Sequence, residues 1–402
     1  MSRGKKIALG IAAVVVLLAG TGLVLYYVTG WGAYDLPVAA RDLPEAKRAA
    51  EAAGIWSQPP TATGIPQEDF RKISRANRMM KPESKELNTA GFSAATLASK
   101  RAALAADRRK ALTLAAIPAV AWKTTAFAMP TDFDAATRVL ALAARMGRVD
   151  DALEDVRAGK KLGRLLGQGT PLIFAEVAAA GEVNTMLGAV QCINAWRKNP
   201  GALKRLQSVL AEADWSVDSV FIAKSEEYSL RQLLSASPTK GQVALRSLGG
   251  SENPFGVPDI KVPAGMARDA VLARHYRFFT RLIKAAKKGW AEMGRVAEEE
   301  KRLVKAHPAI SRVYQRDVLD YGAMEGFFSE VEARRRVVRA AIAHLLDRNA
   351  PLPEDPCSPG EKLLLVNRLG GGFVLYSRGR DGLDDNGAVA PKRGDMGFEF
   401  GG

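Results

Sequence analysis

The sharpest chemical pattern in the chain is Ser237-Pro-Thr-Lys240, an S-x-x-K spacing. Its chemistry would be acyl transfer: a serine that opens a helix meets a lysine one turn later, and the amine takes the hydroxyl proton. Here Pro238 and Gly241 put the pair in a loop-like stretch, and neither S-D-N nor K-T-G follows, so the pattern reads as a chance match. The three histidines, His275, His307 and His344, stand in no metal spacing, and His275 and His344 fall among apolar helix positions, as core histidines do. Gly163, Gly167 and Gly169 lack the preceding strand of a dinucleotide fingerprint, and neither a P-loop nor G-x-S-x-G occurs. Cys192 and Cys357 lie far apart and outside C-x-x-C, so neither a zinc site nor a redox pair is expected, and a disulfide would need the fold to bring them together. These residues predict a protein that is not an enzyme.

The elements that carry them are helical. With 402 residues, 47% hydrophobic and 25% charged, the chain has a globular balance. Aromatics are only 7%, while Ala, Leu, Arg, Lys and Glu recur in runs that favour helix. A formal net charge of +15 attracts polyanions. No RNA-recognition, zinc-finger or basic-zipper signature accompanies the charge, so no nucleic acid is expected, and an anionic envelope component or a protein is the expected partner.

Ile7 to Val28 is 22 residues without a charge. As a helix it spans roughly 33 Å, enough for a bilayer core. Arg3, Lys5 and Lys6 precede it, and no Lys or Arg follows before Arg41, which predicts an N-terminus inside and the bulk of the chain outside the cytoplasmic (inner) membrane. Tyr26, Tyr27, Trp31 and Tyr34 suit the far interface. The absence of a small-x-small cleavage site favours a retained anchor over a signal peptide.

Beyond the anchor, Asp42 to Ala53 reads as a short helix with Pro44 in its first turn and Gly54 ending it, followed by the stalk-like SQPPTATGIP. A second helix covers about Ala94 to Ala116. Phe133 to Trp196 reads as two helices joined at Gly147, the second opened by Asp150 or Asp151, with a third from Thr170. The run G-R-V-D-D-A-L followed by Val156, Leu162 and Leu165 is similar to tetratricopeptide-type pairing, without a repeated period elsewhere. Residues 235–266 form a Pro, Gly and Ser-rich excursion. Two long helices, Ala267 to Ala306 and Ala309 to Arg348, flank His307-Pro308. The first carries a core stripe through Val271, His275, Phe278, Phe279, Leu282, Ile283, Ala286, Trp290 and Met293. Its other face carries Arg277, Arg281, Lys284, Lys288 and Arg295, read as a solvated face like the arginines 334, 335, 336 and 339.

After Asn349 the composition turns to Gly, Pro and Asp, with short apolar strands at Phe373 to Ser377 and Met396 to Phe400 around an acidic turn. A helix ending AAIAHLL, then Asp355-Pro356, LLLV, Phe373 to Ser377 and Gly379-x-Asp381-Gly382-x-Asp384-Asp385 resembles the C-terminal part of the type II secretion major pseudopilin. The hairpin region and this tail together resemble a bacterial family of membrane-anchored helical proteins. In pseudopilins the acidic turn holds calcium. The resemblance therefore implies a calcium site at Asp381, Asp384 and Asp385, with Asn386 and Asp395 as further oxygen donors. Two departures stand: Leu363 to Leu365 replace the usual tyrosines, and the N-terminal helix lacks the prepilin processing pattern, so a pilus subunit is not expected.

The expected architecture is mainly α: cytoplasmic tail 1–6, transmembrane helix 7–28, stalk 29–66, irregular helical bundle 67–348 with helical-hairpin (TPR-like) packing, and a C-terminal β-hairpin module 349–402. The expected role is a membrane-anchored extracytoplasmic scaffold or binding protein. The alternatives are an envelope hydrolase with dispersed catalytic residues and an accessory protein of a secretion system.

Overall fold

The computed structural model describes residues 40–58, 64–79, 82, 94–121, 132–167, 172–212, 218–235, 266–305, 321–368, 371–379, 382–387 and 395–401. The expected anchor Ile7–Val28, the Ser237 and Lys240 pair, His307 and Asp381 lie outside them. The fold is mainly helical with a small antiparallel sheet near the C-terminus. No described helix is long and apolar enough to cross a membrane. The chain divides into two compact units, Met1–Pro59 with Ser219–Met324, and Pro60–Asp218 with Glu325–Gly402, so the helical stretch 67–348 contributes to both.

The first unit contains α1 (Leu43–Ala53), preceded by Asp42 and closed by Gly54 in a left-handed conformation, φ 90°. The Asp42 side chain makes no capping bond and instead pairs with Arg277. Ala46, Ala50 and Ala53 form the buried face of α1. Their small side chains let the helix approach Ala273 and Tyr276 closely. The other described helices of this unit are α8 (Ser219–Ser235), α9 (Met266–Ala286) and α10 (Trp290–Lys305).

The single helix expected over 267–306 is in fact two. Gly289 takes φ 113°, a left-handed value that ends α9 and lets the chain restart at Trp290. Most of the expected core stripe is buried, from Val271 through Met293. The opposite basic face is largely neutralised within the unit. Arg277 pairs with Asp42, Arg281 lies 3.7 Å from Glu300 and Arg295 lies 2.7 Å from Glu292.

In the second unit the numbering runs α2 (Gln67–Ala76), α3 (Ala94–Ala115), α4 (Asp132–Met146), α5 (Val149–Gly167), α6 (Leu172–Trp196), α7 (Pro200–Ala211) and, from Glu325 on, α11 (Tyr321–Leu346). A two-residue parallel pair joins β1 (Ile65–Pro66) to β2 (Val120–Ala121). Helices α4, α5 and α6 pack mutually. The α4/α6 crossing depends on Gly188, where a Cβ would stand 2.9 Å from the Ala141 Cα. The helical junction at Gly147 falls where the sequence places it, since α4 ends at Met146 and α5 opens with Val149, Asp150 and Asp151.

Asn199 accepts the Ala202 N–H at 3.1 Å to cap α7. The other end of α7 leaves carbonyls without intrahelical partners. Lys160 donates to Leu210 O at 2.8 Å and Glu212 O at 2.6 Å, and Arg339 donates to Leu210 O at 2.6 Å. Arg335 reaches Glu182 at 3.1 Å, and Arg336 reaches Glu332 at 3.0 Å. Of the four arginines read as a solvated face, Arg335 and Arg339 therefore tie α11 to α6 and α7, while Arg334 and Arg336 pair with Glu330 and Glu332 on α11 itself.

The C-terminal sheet has three strands rather than a hairpin: β3 (Leu364–Asn367), β4 (Phe373–Ser377) and β5 (Met396–Phe400), in that order and antiparallel. The expected β4/β5 pairing is present, with Phe373 opposite Phe400 and Ser377 opposite Met396. The added strand pairs Leu364 with Tyr376. All five residues of β4 are buried. Phe373 and Phe400 stack at 5.1 Å and share one apolar core with Leu203, Leu206, Val337 and Ile342. Gly397 is required where β5 crosses Tyr376, since a Cβ there would fall 2.7 Å from the Tyr376 Cα.

Candidate functional site

The acidic turn between β4 and β5 is the site the sequence points to. Asp384 is exposed, Asp385 half-buried and Asp395 only 3% exposed. The Tyr376 hydroxyl and the Asn386 N–H both donate to Asp384 Oδ1, at 2.9 and 2.8 Å, so the aspartate shapes its own turn. Asn386 and Gly387 take left-handed conformations, φ 58° and 70°. Gly387 donates its N–H to Asp395 Oδ2 at 2.9 Å.

The other oxygen of Asp395 is buried without a hydrogen-bond partner among the described residues. Burial raises the Asp395 carboxyl above its ordinary range. The charges of Asp384 and Asp385 push the same way, against the backbone N–H groups of Asp385 and Gly387. Burial and the bond to Asp384 push the Tyr376 hydroxyl to about 12. Asp384 and Asp385 thus repel the Asp395 carboxylate across the turn. Among the described residues no three potential ligands are gathered at metal-binding spacing.

A second site was missed in the sequence. At the junction of α3, the end of α4 and α5, a cavity of about 340 Å³ is lined by Leu104, Arg108, Ala143, Met146, Asp151 and Asp155 among others. Asp155 is 1% exposed and lies on the buried face of α5 with Ala152, Gly159 and Leu162. Its Oδ1 accepts Arg108 Nε at 2.6 Å. Arg108 Nη2 donates to Glu154 Oε2 at 2.7 Å and to Asp151 O at 3.3 Å. Asp155 Oδ2 is buried with no hydrogen-bond partner among the described residues. Burial raises the Asp155 carboxyl to about 7 against the opposing pull of Arg108. The available signal was an aspartate at a helical-period core position in the run A-L-E-D-V-R-A-G, which counting apolar positions passes over.

The remaining candidates are structural or lie elsewhere. His275 is wholly buried in the first unit, its Nε2 lying 3.4 Å from Glu227 Oε1. His344 is half-buried, edge-on to Phe373 at 5.0 Å, and is held below its ordinary pKa by burial and then by Arg348. Cys192 and Cys357 are both free thiols. Burial pushes Cys192 up to about 12, away from reactivity at neutral pH. No family model, curated protein or solved structure matches the chain.

Proposed function

We propose that the protein is a membrane-anchored, envelope-facing scaffold or binding protein that displays a calcium-stabilised, pseudopilin-like module on a rigid helical framework. The observation that carries this reading is the shared core: Phe373, Leu375 and Phe400 of the sheet belong to one buried apolar cluster with residues of α5, α6, α7 and α11, which ties the terminal module to the helices. The uncharged run Ile7–Val28 supplies the anchor in the cytoplasmic (inner) membrane, with the N-terminus inside. Packing of the tetratricopeptide type in α4, α5 and α6 suits a surface that meets another protein or an anionic envelope polymer. Calcium would be held by Asp381, Asp384 and Asp385, with Asp395 as a further oxygen donor, and would relieve the repulsion of the carboxylates and fix the turn.

Two measurements on the full chain test this. Expressed in a bacterial host, the chain should stay in carbonate-washed membranes, and protease added to spheroplasts should degrade its C-terminal region. Release by carbonate, or protection from the protease, would overturn the anchored topology. Calorimetric titration with calcium should show binding that the triple substitution Asp381→Ala, Asp384→Ala, Asp385→Ala removes. Equal heats for both proteins would reduce the acidic turn to a purely local structure.

A further inference from the structure

The α3/α4/α5 cavity combines space with unspent bonding capacity. We infer that it is a binding site for a small amphipathic amine, with the ammonium group at Asp155 and an apolar body against Leu104, Ala143 and Met146. This site is independent of the anchored scaffold and of calcium.

Three features select that ligand. First, the buried Asp155 Oδ2 lacks a partner, and leaving such an acceptor unsatisfied is costly, so a donor in the cavity is favoured. Second, the charges around the cavity favour a cation. In the lining Asp151 and Asp155 stand against Arg108 and Arg109, and Arg108 is already spent on Asp155 and on Glu154, which lies outside the lining. An anion would have to draw Arg108 off its carboxylates, whereas an ammonium adds a charge-assisted bond to one of them. Third, the remaining wall is apolar, with Met146 able to adapt its shape to a hydrocarbon or ring. A volume of about 340 Å³ sits at the small end of ligand pockets, which limits the occupant to metabolite size. Burial, which opposes ionisation of Asp155, adds a reason for a second positive partner beside it.

The test is calorimetric titration of the purified full chain at pH 8 with benzylamine, against benzyl alcohol and benzoate as neutral and anionic probes of similar size. Benzylamine should bind saturably at one site, with the other two probes weaker by about tenfold or more. Asp155→Asn should weaken benzylamine by a similar factor. Met146→Trp, which fills the apolar part of the cavity and leaves Asp155 in place, should abolish binding, and it carries the test alone if the Asn variant does not fold. The proposal is overturned by the absence of saturable benzylamine binding, by equal affinity for the three probes, or by unchanged binding to Met146→Trp.

Discussion

Glu227 in the first unit and Asp155 in the second are both carboxylates sealed inside helical packing, at 0% and 1% exposure, yet their surroundings differ. Glu227 is saturated. Arg231 grips it with Nε at 2.8 Å and Nη2 at 3.3 Å, His275 stands at 3.4 Å, and Arg231 carries on to the Trp56 carbonyl. Asp155 spends one oxygen on Arg108 and keeps the other unpartnered, beside a cavity. Burial of a charge therefore does not by itself mark a functional site. A buried charge whose bonds are all made within the fold holds helices in register, while one with a bond left over and room beside it has capacity for a ligand.

Substitutions at the two acids sharpen this contrast. The largest effect is expected for Glu227→Leu, which strands Arg231 and His275 in the packing and should cost about 3–5 kcal/mol, read from chemical denaturation. Asp155→Asn should cost less, about 1–3 kcal/mol, because Arg108 keeps Glu154 and is partly solvated. A cost at Asp155 equal to that at Glu227 would break the contrast.

The pH dependence separates them further. Because the folded-state value of Asp155, about 7, lies above its ordinary 3.8, the native state holds this proton more tightly than the unfolded chain. Its contribution to stability is therefore fully present below pH 3.8 and is lost as pH rises toward 7. Melting temperatures of the original protein and Asp155→Asn, measured across that window, should converge as pH rises if the Asn variant lacks this slope. Parallel curves would contradict it. The smallest effect is expected for Arg295→Ala on the exposed face of α10, where pairs with Glu292 and Glu299 are screened by solvent, and melting in physiological salt should be unchanged.

The elements most legible in the sequence are those whose local chemistry agrees with their packing. Pro44 and Gly54 bracket α1, and Gly147 with Asp150 and Asp151 marks the α4/α5 junction, because turn and helix-end residues act within a few positions of one another, whereas Asp42 spends its side chain on the distant Arg277. The break between α9 and α10 was hidden because Trp290 and Met293 continue the apolar period of Phe279, Leu282 and Ala286 across Gly289. The basic faces read as solvated because a sequence shows a cation's position but not its partner. Arg335 finds Glu182 and Arg339 finds Leu210 across more than a hundred residues. The acidic turn was visible through its Asp and Gly spacing. The Asp155 cavity was not, since its walls come from three helices and its key aspartate occupies a position that periodicity assigns to the core.

The division of the second unit between Pro60–Asp218 and Glu325–Gly402 has a temporal consequence. On the ribosome, α4 to α7 emerge with Leu203, Leu206 and Leu210 uncovered, and the residues that seal them, Val337, Val338 and the strands, are made only after Ser219–Met324 has been synthesised. At roughly 5–20 residues per second that interval lasts on the order of 5–20 s. Throughout it Leu210 O has Lys160 as a donor but not yet Arg339, and the apolar side chains of α7 stay without Val337 and Val338 for long enough that a chaperone has time to visit.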